Sequence, residues 1–485
     1  MSVLEGLEPE RVFRYFEEIS AIPRGSGNEK AISDYLVDFA ASRELEVYRD
    51  AALNVIIRKP ATAGYENSLP VMVQGHMDMV CEKNADTKHD FEKDPLKLYI
   101  DGDHIKARGT TLGADNGIAV AYGLALLDSG DIEHPPLEIV ITVAEETGLE
   151  GAALLEEDKL KSRRMINMDS GREGVFTTSC AGGVRTTLRM EGRLCDAPEG
   201  FVCVKYMVKG LTGGHSGADI HHGRANANML AGQVLYSLDK EFDIYLAELD
   251  GGLKDNAIPR EAFAVLAASS KDISGIESAI KKHEAVFKTE YANTDPDLEI
   301  AFEQLGGLQG DGKVFAKEFA REVAQAIMLT PNGVQAMDAN IPGMVETSTN
   351  LGVIKTVGTA IDLTSAIRSS VATKKRLIEQ KIFALAECLG ASAESKSDYP
   401  SWEYRKDSDI RKTVSETYAA MFGKEPVLTG IHAGLECGVL SGKIPDMDII
   451  AFGPDNFGPH TPEESLGISS TARIWSFLLQ VLKNL

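Results

Sequence analysis

The chain has 485 residues, 43% of them hydrophobic, and a formal net charge of −23. That length predicts two or three domains, each able to bury a core. The negative excess would repel nucleic acid phosphates and anionic lipid, excluding both as partners, and it tolerates bound cations.

The six cysteines include no C-x-x-C pair, which excludes a thiolate zinc ribbon. The N-terminal stretch "MSVLEGLEPERVFRYFEEIS" is acidic and amphipathic, without the apolar region of a signal peptide. No apolar run approaches the ~18 residues of a membrane span. The expected compartment is a reducing cytoplasm with free thiols.

In chain order, "PERVFRYFEEIS" and "NEKAISDYLVDFAASREL" carry apolar residues at helical spacing. "EVYRDAALNVIIRK" reads as a hairpin turning near Asp50. "LPVMVQGHMDMV" is a strand that runs into polar residues, and "DNGIAVAYGLALLDSG" opens on Asp115 and continues as an apolar helix. "EIVITVAEE" and "RRMINMDS" are further strands, ending at Glu145–Glu146 and Asp169. This alternation predicts an α/β sheet covered by helices. Three of the strands end alike, an apolar run and then an acid or histidine.

After about residue 186 the texture changes. "GFVCVKYMVKGLTGGHSG" is strand-like, and "RANANMLAGQVLYSLDKEF", "DISGIESAIKKHEAVFKTEYA" and "KVFAKEFAREVAQAIML" read as helices. "ETSTNLGVIKTVGTAIDLTSAIRSS" is a hairpin about Gly358, and "TKKRLIEQKIFALAECLGA" another helix. From "YPSWEYRKDSD" onward strands and helices alternate again. The simplest architecture is a split α/β domain, 1–186 and 398–485, interrupted by an α+β domain, 187–397.

The candidate ligands form a series. "GHMDMV" supplies His76 and Asp78, two apart and so pointing the same way on an extended strand end. Such a pair is ordinarily structural, but an aspartate beside a metal-bound histidine can accept its second ring N–H. Asp115 follows a glycine turn, where the ordinary role is an N-cap. "AEETG" supplies Glu145 and Glu146, ordinarily solvated loop acids. "NMDSG" supplies Asp169 and "FGPDNFGPHTPEE" His460. Two histidines and three carboxylates suit borderline divalent metals, zinc, cobalt or manganese. A shared aspartate could bridge two ions ~3.5–4 Å apart. Two dications, three carboxylates and a bridging hydroxide would sum to a neutral cluster.

The set "GHMDMV", "TTLGADNG", "VAEETGLEGA", "MDSG" and "GGHSG", with "FGPHTPEE", resembles the di-zinc exopeptidase family of aminoacylases, carboxypeptidases and dipeptidases, and within it the aminoacyl-histidine (nonspecific) dipeptidases. The resemblance implies that the split domain is catalytic and the insertion a lid and dimerisation domain in a homodimer. It also implies two divalent ions per chain, most simply Zn2+. Asp115 would bridge them, His76 and Asp169 would hold one, Glu146 and His460 the other, and Asp78 would orient His76. Glu145 would be the general base, taking a proton from a metal-activated water and delivering it to the leaving amine. The implied substrate is a small peptide, Xaa-His or broader; the rival is an amidohydrolase of N-acyl amino acids, which the same ligands would serve.

In the insertion, His215 of "GLTGGHSGADIHHGRANA" is ordinarily a satisfied loop histidine. The resemblance implies that it reaches the partner's active site and polarises the scissile carbonyl. His221 and His222 read as surface residues. Asn256, Arg260 and Arg368 are candidates for a substrate carboxylate, since arginine binds carboxylates bidentately, although Arg368 could equally form a surface ion pair. Gly434 and Glu436 of "GIHAGLECG" resemble the family's substrate-facing segment.

Overall fold

The computed structural model describes residues 2–306 and 312–485. By internal contacts the chain divides into two compact units. The first is Met1–Cys180, Trp402–Gly430 and Gly434–Leu485; the second is Ala181–Ser401 with Ile431–Ala433. Residue 187, the expected start of the insertion, lies inside a strand of the second unit, Gly182–Glu191.

The first unit is built on an eight-stranded sheet. Its strands are β1 (Glu46–Arg49), β2 (Val55–Lys59), β3 (Val71–His76), β4 (Leu137–Thr142), β5 (Arg164–Asn167), β6 (Val175–Cys180), β7 (Val427–Ile431) and β8 (Asp448–Ala451), in the order β1-β2-β4-β3-β5-β8-β6-β7. β3 is central and runs parallel to β4 and β5, His76 facing Thr142 and Gln74 facing Asn167. Every residue of β3 and β4 is buried, as expected of parallel strands covered on both faces. Because the three strands are parallel, their carboxyl ends share one edge. The chain visits β4 on one side of β3 and β5 on the other, the switch point beyond which open α/β sheets bind ligands.

Helices α1 (Glu10–Ser20), α2 (Lys30–Ala41), α3 (Ala114–Asp128), α4 (Asp409–Phe422), α5 (Glu436–Lys443) and α6 (Ile468–Asn484) belong to this unit. α3 is buried almost throughout. It approaches β3 so closely that a Cβ on Gly75 would lie 2.3 Å from Asn116 Oδ1 and 2.4 Å from the Ala119 Cβ. That contact fixes the start of α3, and with it Asp115, beside the end of β3.

The second unit is an antiparallel sheet with helices 227–241, 273–290, 317–329 and 372–389 sharing one apolar cluster with it. The expected hairpin is present, Val345–Val357 against Ala360–Ser369. One segment differs from expectation. "KVF" does not open the helix that follows; Lys313–Phe315 is a strand paired with Leu194–Asp196. Val314 and Phe315 are buried, and extended Ala316 starts the helix at Lys317. All six cysteines are free. Among the described residues no helix is long and apolar enough to cross a membrane.

Candidate metal centre

β3 ends at His76 and the chain continues through Asp78, whose side chain is fully buried. The Asp78 carboxylate faces His76 Nδ1 at 3.3 Å and accepts from Ser26 Oγ at 2.7 Å. It also accepts the backbone N–H groups of Glu145 at 3.1 Å and Glu146 at 3.3 Å. The turn after β4 makes this possible: Ala144 takes a left-handed φ of 50°, unusual for a residue with a Cβ, and the next two amides face Asp78. One buried carboxylate thus orients the histidine and ties down the turn carrying both glutamates.

Asp115 departs from helical geometry, with φ −81° and ψ 103°. Its Oδ1 lies 3.2 Å from His76 Nε2 and its Oδ2 3.4 Å from His460 Nε2. His460 Nε2 lies 3.0 Å from Glu146 Oε1. His76, Asp115 and Glu146 can each offer one ligand atom within 4.8 Å of the others. Asp169, two residues past β5, receives its backbone position from Asn167 Oδ1, which accepts the Asp169 N–H at 3.1 Å.

Charge crowding is evident in the proton affinities. Burial and the Asp115 charge hold the Asp169 carboxyl well above the usual range. Glu145 is likewise raised, by burial first; His76 opposes the shift and Asp169 adds to it. Burial disfavours a charged His76, but Asp115 and Asp78 outweigh it and raise the imidazole. His460 is pushed up to about 10 by the adjacent carboxylates of Asp115 and Glu146. Burial works against an ionised Asp115, yet the two histidines keep it below the normal carboxylate range.

The donor set fits divalent ions. Tetrahedral zinc with bonds of about 2.0–2.1 Å places neighbouring ligand atoms about 3.3 Å apart, and the observed separations are 3.0 to 3.4 Å. Glu146 Oε1 is buried and lacks a hydrogen-bond partner although His460 Nε2 is 3.0 Å away. The two atoms are close without being aligned donor to acceptor, as when two lone pairs face a common point.

Residues 72–484 match peptidase family M20/M25/M40. The chain belongs to that family. It is 39% identical over 485 residues to the cytosol non-specific dipeptidase of Escherichia coli K12, covering all of this chain and 99% of the relative. The crystal structure of aminoacylhistidine dipeptidase from Vibrio alginolyticus superposes with a TM-score of 0.93 at 38% identity, covering 99% of this chain and 97% of that one. Aminopeptidase PepT from Bacillus cereus shares the fold, with a TM-score of 0.55 at 15% identity over 99% of both chains.

The second unit of this M20 peptidase holds His215, Asn256, Arg260 and Arg368. His215 pairs with Ala257 in a two-residue ladder. Its Nδ1 accepts the N–H groups of Gly217 at 3.2 Å and Ala218 at 3.0 Å. That assigns the proton of the neutral ring to Nε2, a donor. Burial, then Arg368, lowers its basicity. Asn256 is exposed, and its carbonyl accepts the Ser216 N–H at 2.8 Å. Arg260 is exposed and donates from Nε to the Leu211 carbonyl at 3.0 Å. Arg368 is half-buried and donates to Tyr399 Oη at 2.9 Å. Among the described residues it has no carboxylate partner, and its Nε is unsatisfied.

In the first unit, Gly434 lies two residues before α5. Glu436, expected to face substrate, is 1% exposed. Its Oε2 accepts from Thr142 Oγ1 at 2.7 Å and from Gln74 Nε2, beneath the strand ends. Sequence reasoning also missed several residues that hold the site. Gln74 Oε1 accepts from Asn167 Nδ2 at 2.6 Å, completing a buried chain from Glu436 to Asp169. Asn116 accepts the His76 N–H at 3.3 Å and donates to the Met168 carbonyl at 3.1 Å. In the second unit, buried His432 lies 2.7 Å from Ser348 Oγ and is depressed to about 3 by burial and Arg368. "DNG" could have signalled Asn116, since Asn is common at helix starts; the others carry no local cue.

Proposed function

We propose that this M20 peptidase is a cytoplasmic two-metal dipeptidase hydrolysing Xaa-His and other dipeptides. The observation that carries the reading is the placement of Asp115, one carboxylate oxygen beside His76 and the other beside His460, which is itself against Glu146. We assign His76 and Asp169 to one ion, Glu146 and His460 to the other, and Asp115 to both, with Zn2+ the first choice and Co2+ or Mn2+ alternatives. When bound, the ions supply Lewis acidity, polarising a carbonyl and lowering the pKa of a water.

The chain's own groups do the rest. Glu145, half-buried and raised in proton affinity, suits a group that takes a proton from water and returns it to the leaving amine. Asp78 keeps His76 and the Glu145–Glu146 turn in register. His215, neutral and protonated on Nε2, is assigned to donate to the developing oxyanion. In the homodimer we propose, that histidine comes from the partner subunit. Arg368, with Asn256 and Arg260 near the His215 turn and Gly434 before α5, is assigned to the free carboxylate of the dipeptide. Glu436 supports the strand ends from below through Gln74 and Thr142. The first unit is accordingly the catalytic domain and the second a lid and dimerisation domain.

Turnover of Ala-His and Gly-Gly, compared with N-acetyl amino acids, tests the reading. Fast dipeptide cleavage is expected; preference for N-acetyl substrates would replace it with the amidohydrolase reading.

A further inference from the structure

α3 begins in the core, and its first turn carries Asp115. A helix start leaves four N–H groups without partners inside the helix. The N-cap is Gly113, which has no side chain to satisfy them. Its φ of 66° is left-handed, and a Cβ there would lie 2.6 Å from Arg24 Nη2, so no capping residue fits.

The missing acceptor comes from the far end of the chain. Glu464 is 2% exposed. Its Oε2 accepts the N–H groups of Leu112 and Gly113, both at 2.8 Å. Its Oε1 accepts the N–H of Asp115 at 3.1 Å and lies 3.4 Å from Asn456 Nδ2. Glu464 stands four residues after His460, and its own N–H donates to the Thr461 carbonyl at 3.1 Å. The following residues, Ser465–Gly467, pair with His104–Lys106. One buried carboxylate therefore joins the turn that carries Asp115 to the loop that carries His460.

The same turn is held from its other side. Arg24, 1% exposed, donates from Nη1 to the carbonyls of Met77 at 2.9 Å and Asp78 at 3.3 Å, and from Nη2 to that of Gly113. Burial lowers this guanidinium to about 10, and Glu464 is the foremost charge opposing that shift. His460 is exposed and sits at φ 63° in a loop rich in glycine and proline. Its place relative to Asp115 must therefore be set by something other than burial of its own side chain.

We propose that Glu464 is a positioning residue that sets the separation of Asp115 and His460, and so the affinity of the metal site those two share with Glu146. The inference rests on the two-metal reading above. A carboxylate that only capped α3 would contribute to folding stability and leave the two ions equal in their response. A positioning carboxylate acts unequally, because the His76–Asp169 ion shares only Asp115 with this link, whereas the Glu146–His460 ion shares both Asp115 and the His460 loop.

The test compares the wild type, Glu464→Gln and Ser408→Ala. Ser408 caps α4 by accepting the Arg411 N–H at 3.1 Å, so its loss is a cap loss with no metal ligand attached. Zn2+ affinities are measured by competition with a chromophoric chelator, Co2+ loading by the visible spectrum, and stability by thermal melting of metal-free protein. Glu464→Gln is expected to weaken the Glu146–His460 ion by ~10–100-fold, the scale for removing a partner that orients a ligand, with the other ion, which shares only Asp115, weakened less and the Co2+ spectrum of the second equivalent altered. Ser408→Ala should bind both ions as the wild type does. Wild-type affinity for both ions in Glu464→Gln, with only a lowered melting temperature, would overturn the proposal. If Glu464→Gln does not fold, Glu464→Asp, which keeps the charge and withdraws it by one methylene, carries the same expectation. A wild-type chain that takes up no second ion would overturn the two-metal reading and this inference with it.

Discussion

Replacing Asp78 by asparagine changes one oxygen to an amide nitrogen at a site with four claimants. The carboxylate accepts from Glu145 N, Glu146 N and Ser26 Oγ, and faces His76 Nδ1. Asparagine keeps the shape and one acceptor oxygen, but its NH2 group must then face a donor. A buried donor left unsatisfied costs about 1–3 kcal/mol, so Asp78→Asn should destabilise the metal-free protein by roughly that amount. Asp78→Ala, which leaves both backbone N–H groups without an acceptor, should lose roughly 2–6 kcal/mol on the same basis. Metal affinity should fall separately, by ~10–100-fold at most, because the carboxylate no longer faces His76 Nδ1 and only the Asp78 backbone carbonyl, 3.2 Å away, is left to fix the ring and its tautomer. Denaturant titration of the metal-free variants reads the first effect, and chelator competition the second. Wild-type stability and wild-type Zn2+ affinity in Asp78→Asn would refute the reasoning, since among the described residues no other acceptor takes the two amides.

Glu145→Gln should retain its metals and lose ~10²–10⁴ in kcat, the scale of a general base; near-normal kcat with metal content verified would remove that role. His215→Ala should lower kcat by ~10²–10³ without metal loss. Mixed dimers of inactive Glu145→Ala and His215→Ala chains should regain activity if the histidine acts across subunits, and verified mixing without recovery would place it in its own chain. Burial pushes the Glu436 carboxyl up to about 7. A carboxyl raised in the folded state adds stability that is full below its unfolded pKa and is lost as pH rises through the folded value. From an ordinary ~4.3 to about 7 this amounts to roughly 3–4 kcal/mol. Metal-free Glu436→Gln, which still accepts from Thr142 and Gln74, should therefore lose less stability than wild type between pH 5 and 8, as denaturant titrations will read; parallel curves would contradict the assignment.

The candidate site was legible where a strand announces its own end. "MVQGHMD" and "EIVITVAEE" run apolar and then stop on ligand-type residues, so β3, β4 and the acids beyond them could be read directly. What could not be read is what holds those residues still. Arg24 stands in "IPRGSG" as an ordinary surface charge, Glu464 is one of two adjacent acids, and Gln74 looks like any strand residue. Each acts on a partner far along the chain, Glu464 on a turn about 350 residues away, and no periodicity records such a pairing. Glu436 was misjudged for the same reason: a glycine-rich neighbourhood suggests an open segment, while α5 turns the carboxyl inward onto Thr142. In the second unit, "KVF" continues a helical pattern locally, and only its pairing with Leu194–Asp196 makes it a strand.

The most direct test of the account titrates Zn2+ or Co2+ into metal-free protein while following Ala-His hydrolysis and bound metal together. The wild type should take up two ions per chain and reach full activity only near the second equivalent, whereas His460→Ala should stop at one ion and remain largely inactive. Full activity at one equivalent in the wild type, or two ions bound at unchanged affinity by His460→Ala, would contradict the two-metal centre.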